Sequence, residues 1–367
     1  MLIENTGKKL KSLHEEIMIA PLKEQNKGAS IAHIPVLNGV RAASILLVLA
    51  GHMLPLGPIP IGNYNFDTNH AAAVSGMSLF FILSGFLIAS FLLARQDIVE
   101  FLVKRIGRIV PAVYVYLIFC YVLVSFEPKT LMVAATFTLN YLNSYSDPFN
   151  GYLWSLCVEM HFYLVAALIV FALGRRGLYL LPVLALVVTG LRIQGHIQLH
   201  IFTHLRLDEI LAGCTLALVY REHNDLFQKA RPWLARLFVP FVILWGLSSV
   251  RDLFPAVYVR PYAAGLVVAS ILAMRSNIVT YILESAPARY IALVSYALYI
   301  WHPATMQFGM SEGSTATRYL IKRPISIALT FLAAHLSTFY IEKPSSNFVR
   351  NFLTRRRARL EAASKIK

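Results

Sequence analysis

Arg41 and His52 stand eleven positions apart in the apolar run LNGVRAASILLVLAGHMLPL, residues 37–56. On a helix that spacing turns the second residue about 20° from the first and lifts it roughly 16–17 Å. One face therefore carries a guanidinium toward its start and an imidazole toward its end. A neutral imidazole suits general-base work: it takes the proton of a hydroxyl as that oxygen attacks a carbonyl. A second apolar stretch, GYLWSLCVEMHFYLV at 151–165, carries Glu159. If it enters a bilayer from the side where the first run leaves, Glu159 reaches roughly the depth of His52. A carboxylate there would orient the imidazole and stabilise its protonated form. The plainer alternatives are a snorkelling Arg41, a hydrogen-bonded core histidine at 52, and an interfacial aromatic belt of Tyr152, Trp154 and Tyr163.

Three further sets have the right residue types. Lys104, Arg105 and Arg108 in FLVKRIGRIVP form a basic cluster, suited to phosphates or simply to the cytoplasmic end of a span. Arg206 and Asp208 in LRLDEILAGCTLALVY open another apolar run, where they are expected to pair with each other. Trp301 and His302 in SYALYIWHPA fall in the outer half of a later one. Ser84 and His335 read as helix-packing residues. Cys120, Cys157 and Cys214 are odd in number and lack metal-ligand spacing, so they read as core thiols and no metal is expected.

The elements that must position these groups can be read from composition. Of 367 residues, 57% are hydrophobic and only 14% charged, where a soluble domain carries about a quarter. Apolar runs of about 17 to 25 residues recur, each long enough to cross a bilayer core. The expected fold is all-α: a polytopic transmembrane helix bundle of about ten spans with both termini cytoplasmic. The spans fall near 36–56, 71–94, 109–126, 152–173, 178–193, 206–220, 233–250, 258–274, 287–309 and 322–341. Residues 1–35 form a cytoplasmic tail without the apolar core of a signal peptide, 36–341 the membrane domain, and 342–367 a basic cytoplasmic tail. The segment 131–143 is too short to span and is placed at the outer surface. With this topology most of the 34 Lys and Arg face the cytoplasm. The net charge of +15 thus reports orientation and an affinity for anionic headgroups rather than nucleic acid. No internal repeat or matched pair of interrupted spans marks an inverted-repeat transporter.

Taken together, these motifs resemble the acyltransferase family 3 membrane proteins, which O-acylate extracytoplasmic carbohydrates. The resemblance runs from Arg41-x10-His52 through GMSLFFILSGFLIA at 76–89, Arg105-x-x-Arg108 with Pro111, and WSLCVEMHFYL at 154–164. It continues with RLDEILAGCTLA at 206–217, SYALYIWH at 295–302 and FYIEKP at 339–344. Two positions depart from the family pattern: Ser78 stands where an acid is frequent, and Met160-His161 follows Glu159 where Glu-Gln is frequent. The second departure leaves open whether His161 substitutes for a second carboxylate.

The resemblance implies a multi-pass protein of the bacterial inner membrane, of the kind without an appended esterase-like domain. Its donor would be acetyl-coenzyme A or another acyl-coenzyme A presented from the cytoplasm, and its acceptor a carbohydrate or glycolipid hydroxyl. His52 would be the base, oriented by Glu159, with Arg41 along the donor's path. Lys104, Arg105 and Arg108 would hold the donor's phosphates. Trp154, Arg206, Asp208, Trp301 and His302 would line the acceptor side. Direct transfer is preferred over an acyl-histidine relay, and the sequence does not identify the oxyanion-stabilising group. Two rival readings are a glycolipid or sugar transporter and a structural partner, oligomeric or within a polysaccharide-synthesis complex.

Overall fold

The computed structural model describes residues 34–61, 64–124, 127–251, 253, 255–308 and 312–364. The amino-terminal tail, through residue 33, lies outside the described residues. Helices dominate: α1 (Val36–Met53), α2 (Thr68–Ala94), α3 (Ile98–Val124), α4 (Pro128–Ala135), α5 (Trp154–Leu173), α6 (Leu181–Gln194) and α7 (Asp208–Arg221). They continue as α8 (Asn224–Arg236), α9 (Phe238–Ser248), α10 (Arg260–Ala273), α11 (Ile278–Leu283), α12 (Ala286–Gln307), α13 (Arg323–Ser337) and α14 (Lys343–Ser364). The all-α expectation has one exception. Strands β1 (Pro58–Ile61) and β2 (Tyr64–Asp67) pair antiparallel, with Pro58 opposite Asp67 and Ile61 opposite Tyr64.

Among the described residues, five helical stretches are long and apolar enough to cross a membrane, and a sixth if α8 and α9, bent by 78°, count as one. The difference from ten has several sources: the spans expected at 152–173 and 178–193 fall in one 44-residue stretch, Gly151–Gln194, and several helices are short. Helices α6, α7 and α10 have 14 residues each and α9 has 11. At 1.5 Å per residue they reach about 16–21 Å, short of a hydrocarbon core of about 30 Å.

The central post is α2, most of whose side chains are buried. It runs parallel to α7: Arg206, just before α7, lies over Phe81, and Tyr220 packs edge-on against Phe86. The two backbones touch because Gly85 and Gly213 face them. A methyl group on Gly85 would overlap the Ile210 carbonyl, and one on Gly213 the Ile82 carbonyl. Such contacts between small residues let membrane helices gain dispersion energy where no hydrophobic force acts between them.

Helix α3 contains Pro111, whose missing N–H leaves the Gly107 carbonyl without its helical partner. The Ser345 hydroxyl of α14 donates to that oxygen at 2.7 Å, and Val349 fills the space a Gly107 side chain would need. A carbonyl freed from its helical partner needs another donor, so this bond also fixes where α14 docks.

The segment 131–143, expected at the outer surface, instead descends beside α5. The Tyr114 hydroxyl donates to Ala135 O at 3.2 Å, and Asn140 Nδ2 to Thr203 Oγ1 at 2.8 Å. Tyr141 reaches His161, two turns inside α5, with ring centroids 5.9 Å apart. Leu139 and Asn140 are fully buried, which a flat surface segment would not allow.

Candidate active site

The end of α1 is held by Asn69 at the start of α2. Its side-chain amide donates to Gly51 O at 3.0 Å and Leu54 O at 2.6 Å, two carbonyls at the frayed end of α1. This fixes His52, whose ring meets His302 of α12: His52 Nδ1 and His302 Nε2 are 3.1 Å apart. The ring planes differ by 6°, with centroids 5.2 Å apart. That separation is close to the N···N distance extended by two ring radii, so the hydrogen bond runs along the shared plane.

The hydrogen-bond network assigns the tautomers. His302 Nδ1 lies 2.7 Å from the Tyr299 carbonyl oxygen, which can only accept, so this nitrogen bears the proton. His302 Nε2 is then an acceptor and His52 Nδ1 a donor. The remaining lone pair is on His52 Nε2. The Tyr299 carbonyl is free for this role because Pro303, four residues on, has no N–H to offer it. The dipeptide His302-Pro303 was therefore the signal in the sequence. Tyr152 closes the arrangement edge-on to both imidazoles, at 4.7 Å from His52 and 4.9 Å from His302. The Tyr299 hydroxyl holds it by donating to Tyr152 O at 2.5 Å, and itself accepts from Ser155 at 2.7 Å. Tyr152 belongs to the site rather than only to an interfacial belt.

Below this pair two cavities run end to end. The upper is lined by Val48, Met77 and Tyr299 at its top and by Arg41, Phe80 and Ser295 at its base. The lower shares those last three and adds Ser84, Arg105, Arg108, Glu159 and Tyr163. Val48 is one turn before His52 and Tyr299 one turn before His302, so the path leads from a cluster of guanidiniums to within one helical turn of the imidazoles. Three arginines face one carboxylate in the lower cavity, an excess of positive charge suited to a polyanion.

The expected pairing of Glu159 with His52 is corrected. Glu159 accepts from the Ser84 hydroxyl, so Ser84 is a site residue rather than a packing residue. The carboxylate sits in the lower cavity, seven positions beyond the Tyr152 that touches His52. Helix α1 ends where α5 begins, which leaves His52 at the top and Glu159 about 10 Å lower. His161, about 200° around α5 from Glu159, turns away and bonds Thr203 Oγ1 at 2.7 Å. It does not supply a second charge beside Glu159.

Lys104 is also corrected. Its Nζ is 2.8 Å from Glu100 and lies over the Phe91 ring, and it does not line the cavity. The i, i+4 spacing to Glu100 decides this. Glu100 also takes Arg95 at 3.3 Å and Arg357 of α14 at 2.5 Å.

Among the proposed acceptor residues, only His302 meets His52. Arg206 and Asp208 do not pair with each other. Arg206 Nη2 is 3.0 Å from Glu209, three residues on, while Asp208 pairs with Arg192. Glu209 also accepts from Arg260 Nε at 2.8 Å, so the cluster ties α6, α7 and α10 together. Trp154 lies beneath Arg206 and edge-on to Phe81. Trp301 packs between Tyr116 and Phe119. Among the described residues no group of three or more His, Cys, Asp or Glu is arranged to hold a metal ion.

A family model described as an acyltransferase domain matches residues 34–341. The peptidoglycan O-acetyltransferase OatA of Listeria monocytogenes is 26% identical over 366 aligned positions, covering 85% of this chain and 56% of that protein. The O-acetyltransferase OatA of Staphylococcus aureus is 27% identical over 371, covering 88% of this chain and 58% of that protein. The chain thus spans little more than half the length of these curated relatives. No solved structure matches it.

Proposed function

Because this chain belongs to the acyltransferase family 3, whose domain model covers residues 34–341, we propose that it moves an acyl group, acetyl by analogy with its relatives, onto a carbohydrate hydroxyl of the bacterial cell envelope. The relatives' names point to peptidoglycan as the acceptor class. The donor is acyl-coenzyme A from the cytoplasm, its phosphates held by Arg105 and Arg108 and its thin arm passing Arg41. One observation carries the reading: a path lined at one end by Arg41, Arg105 and Arg108 reaches Val48 and Tyr299, each one helical turn short of the hydrogen-bonded His52–His302 pair.

In this mechanism His52 Nε2 takes the proton of the acceptor hydroxyl as its oxygen attacks the thioester carbonyl. The C–O bond forms, the C–S bond breaks, and the proton ends on the leaving thiolate. His302 holds the His52 ring in the productive tautomer by accepting from its Nδ1–H, as the third member of a nucleophile–base–orienter set does. Glu159 and Ser84 act lower down, balancing part of the arginine charge. The protein is a multi-pass membrane protein with both termini cytoplasmic. This topology is supported by the parallel run of α2 and α7 and by the excess of Lys and Arg on the inner side. It sits in the inner membrane, facing a lipid bilayer and a glycan acceptor.

The test is consumption of acyl-coenzyme A by the purified protein in lipid nanodiscs, read with mass spectrometry of glycans for an added acyl mass. Turnover that needs His52 supports the assignment. An unchanged donor pool alongside movement of unmodified glycan across the bilayer would assign the chain to transport instead.

A further inference from the structure

Arg323 opens α13 immediately after a π-helical turn, Thr317–Lys322. Such turns concentrate at functional sites because they shift the helix register and redirect side chains. Arg323 leads the buried stripe of α13: Arg323, Ser326, Thr330, Ala334 and Ser337. This stripe faces α12. The Ser326 hydroxyl donates to Thr305 O at 2.8 Å, and the hydroxyls of Thr305 and Thr330 are 2.5 Å apart.

The guanidinium is the exception on this face. Arg323 is 8% exposed, yet its Nε and Nη1 are buried and meet no acceptor. Among the described residues no carboxylate pairs with it, whereas the buried Arg192, Arg206 and Arg260 each have one. A buried guanidinium without a counter-charge is costly in a low-dielectric site, and such groups are retained where a ligand completes them.

Its position says which ligand. Thr305 is one turn beyond His302, and Arg323 is one turn from the Ser326 that bonds Thr305. The guanidinium therefore lies past the His52–His302 pair, on the side away from the donor cavities. Its charge is felt at Tyr152, whose ring touches both imidazoles. It is not among the residues that line either cavity.

We propose that Arg323 anchors an anionic group of the carbohydrate acceptor, a carboxylate or a phosphate, and so holds the acceptor hydroxyl over His52. A guanidinium offers a planar fork of N–H donors that matches either oxyanion. The anchoring selects acceptors by charge at a point removed from the reacting oxygen. This assignment rests on the acyltransferase reading of the chain.

The experiment is equilibrium binding without turnover, followed by tryptophan fluorescence in nanodiscs with the wild-type chain and with H52A. The probes are N-acetylmuramic acid, its neutral methyl ester, N-acetylglucosamine 1-phosphate and neutral N-acetylglucosamine. At least one anionic probe should bind roughly tenfold or more tightly than its neutral counterpart, as a charge-assisted bidentate contact gives. That advantage should vanish in R323Q and return in part in R323K. An advantage confined to the muramic acid identifies a sugar carboxylate, and one confined to the 1-phosphate a glycosyl phosphate. Equal binding of anionic and neutral probes to the wild-type chain overturns the proposal, and that comparison needs no variant to fold. Absence of binding by all four probes, or an advantage that survives in R323Q, also overturns it. Binding is read apart from catalysis, so a charge preference in a chain that never consumes acyl-coenzyme A would defeat the transfer reaction and leave the anion site standing.

Discussion

At the scale of single residues, the proposed chemistry rests on one lone pair, that of His52 Nε2, and on the hydrogen bond that keeps it there. Replacing His52 by Ala should lower kcat by a factor of about 10² to 10⁴ with the protein still inserted, because the base at the reacting oxygen is lost and His302 lies behind it. His302→Ala should cost about tenfold to a hundredfold in kcat with little change in donor KM, since His302 orients the base and does not touch the donor path. A double variant no slower than H52A alone would show that the two act as a unit. Steady-state kinetics on purified protein separates these outcomes. The basic cluster divides in the same way. R105Q combined with R108Q should raise the donor KM, while K104Q should leave it unchanged, because Lys104 faces Glu100. Equal effects of Lys104 and the arginines on donor KM would remove the cavity from the donor's path.

At the scale of elements, two prolines inside helices each free a carbonyl that a side chain then uses. Pro111 frees Gly107 O for Ser345, and Pro303 frees Tyr299 O for His302. Pro303→Ala returns an N–H to α12, which competes with His302 Nδ1 for the Tyr299 carbonyl. The helix should gain stability, since proline is a poor residue in a helix interior by about 3 kcal/mol. Activity should nonetheless fall, roughly tenfold, as the His52 tautomer is released. Measuring thermal stability and kcat on one preparation checks that the two move in opposite directions.

The tail helix α14 carries a different test, through Asp97. Burial would raise the Asp97 carboxyl, but the Glu100 N–H at 2.8 Å and the Arg356 guanidinium at 2.6 Å outweigh it, so its pKa lies below the ordinary carboxylate value. A depressed folded pKa means that the tether is fully present above the unfolded value and is lost as pH falls through the folded one. Hydrogen exchange along residues 350–359 should therefore accelerate on acidification into that range. D97N should show the faster exchange already at neutral pH. With both side chains partly exposed, the effect is local loosening and not unfolding.

At the scale of the whole molecule, the proposed topology, in which α5 runs inward from the outer side, makes a labelling prediction. A membrane-impermeant thiol reagent added from outside should label S144C, an exposed position between α4 and α5. It should spare R176C, exposed between α5 and α6, until the membrane is opened. The native thiols Cys120, Cys157 and Cys214 are buried and give little background. Labelling of both positions, or of R176C alone, would reverse or break the proposed topology, and with it the delivery of donor from the cytoplasm.

Counting along one chain was enough to mark most of the helices, through the length of their apolar runs. Helical periodicity likewise put Arg41 and His52 on one face, and a string of motifs carried the acyltransferase resemblance. Tertiary structure decided which chain-distant groups meet. His52 meets His302 and not Glu159, because α1 ends at the level where α5 begins, and depth counted from a span's end cannot register two helices against each other. Arg206 and Asp208 do not pair because Glu209 takes Arg206 and Arg192, from α6, takes Asp208. Segment 131–143 sinks beside α5 because Leu139 and Asn140 are buried there between packed helices, a fit that local composition does not encode. Periodicity fixes the direction of a side chain from its own helix; the partner it meets is fixed by packing between helices, where close contact selects one register from several that the pattern allows.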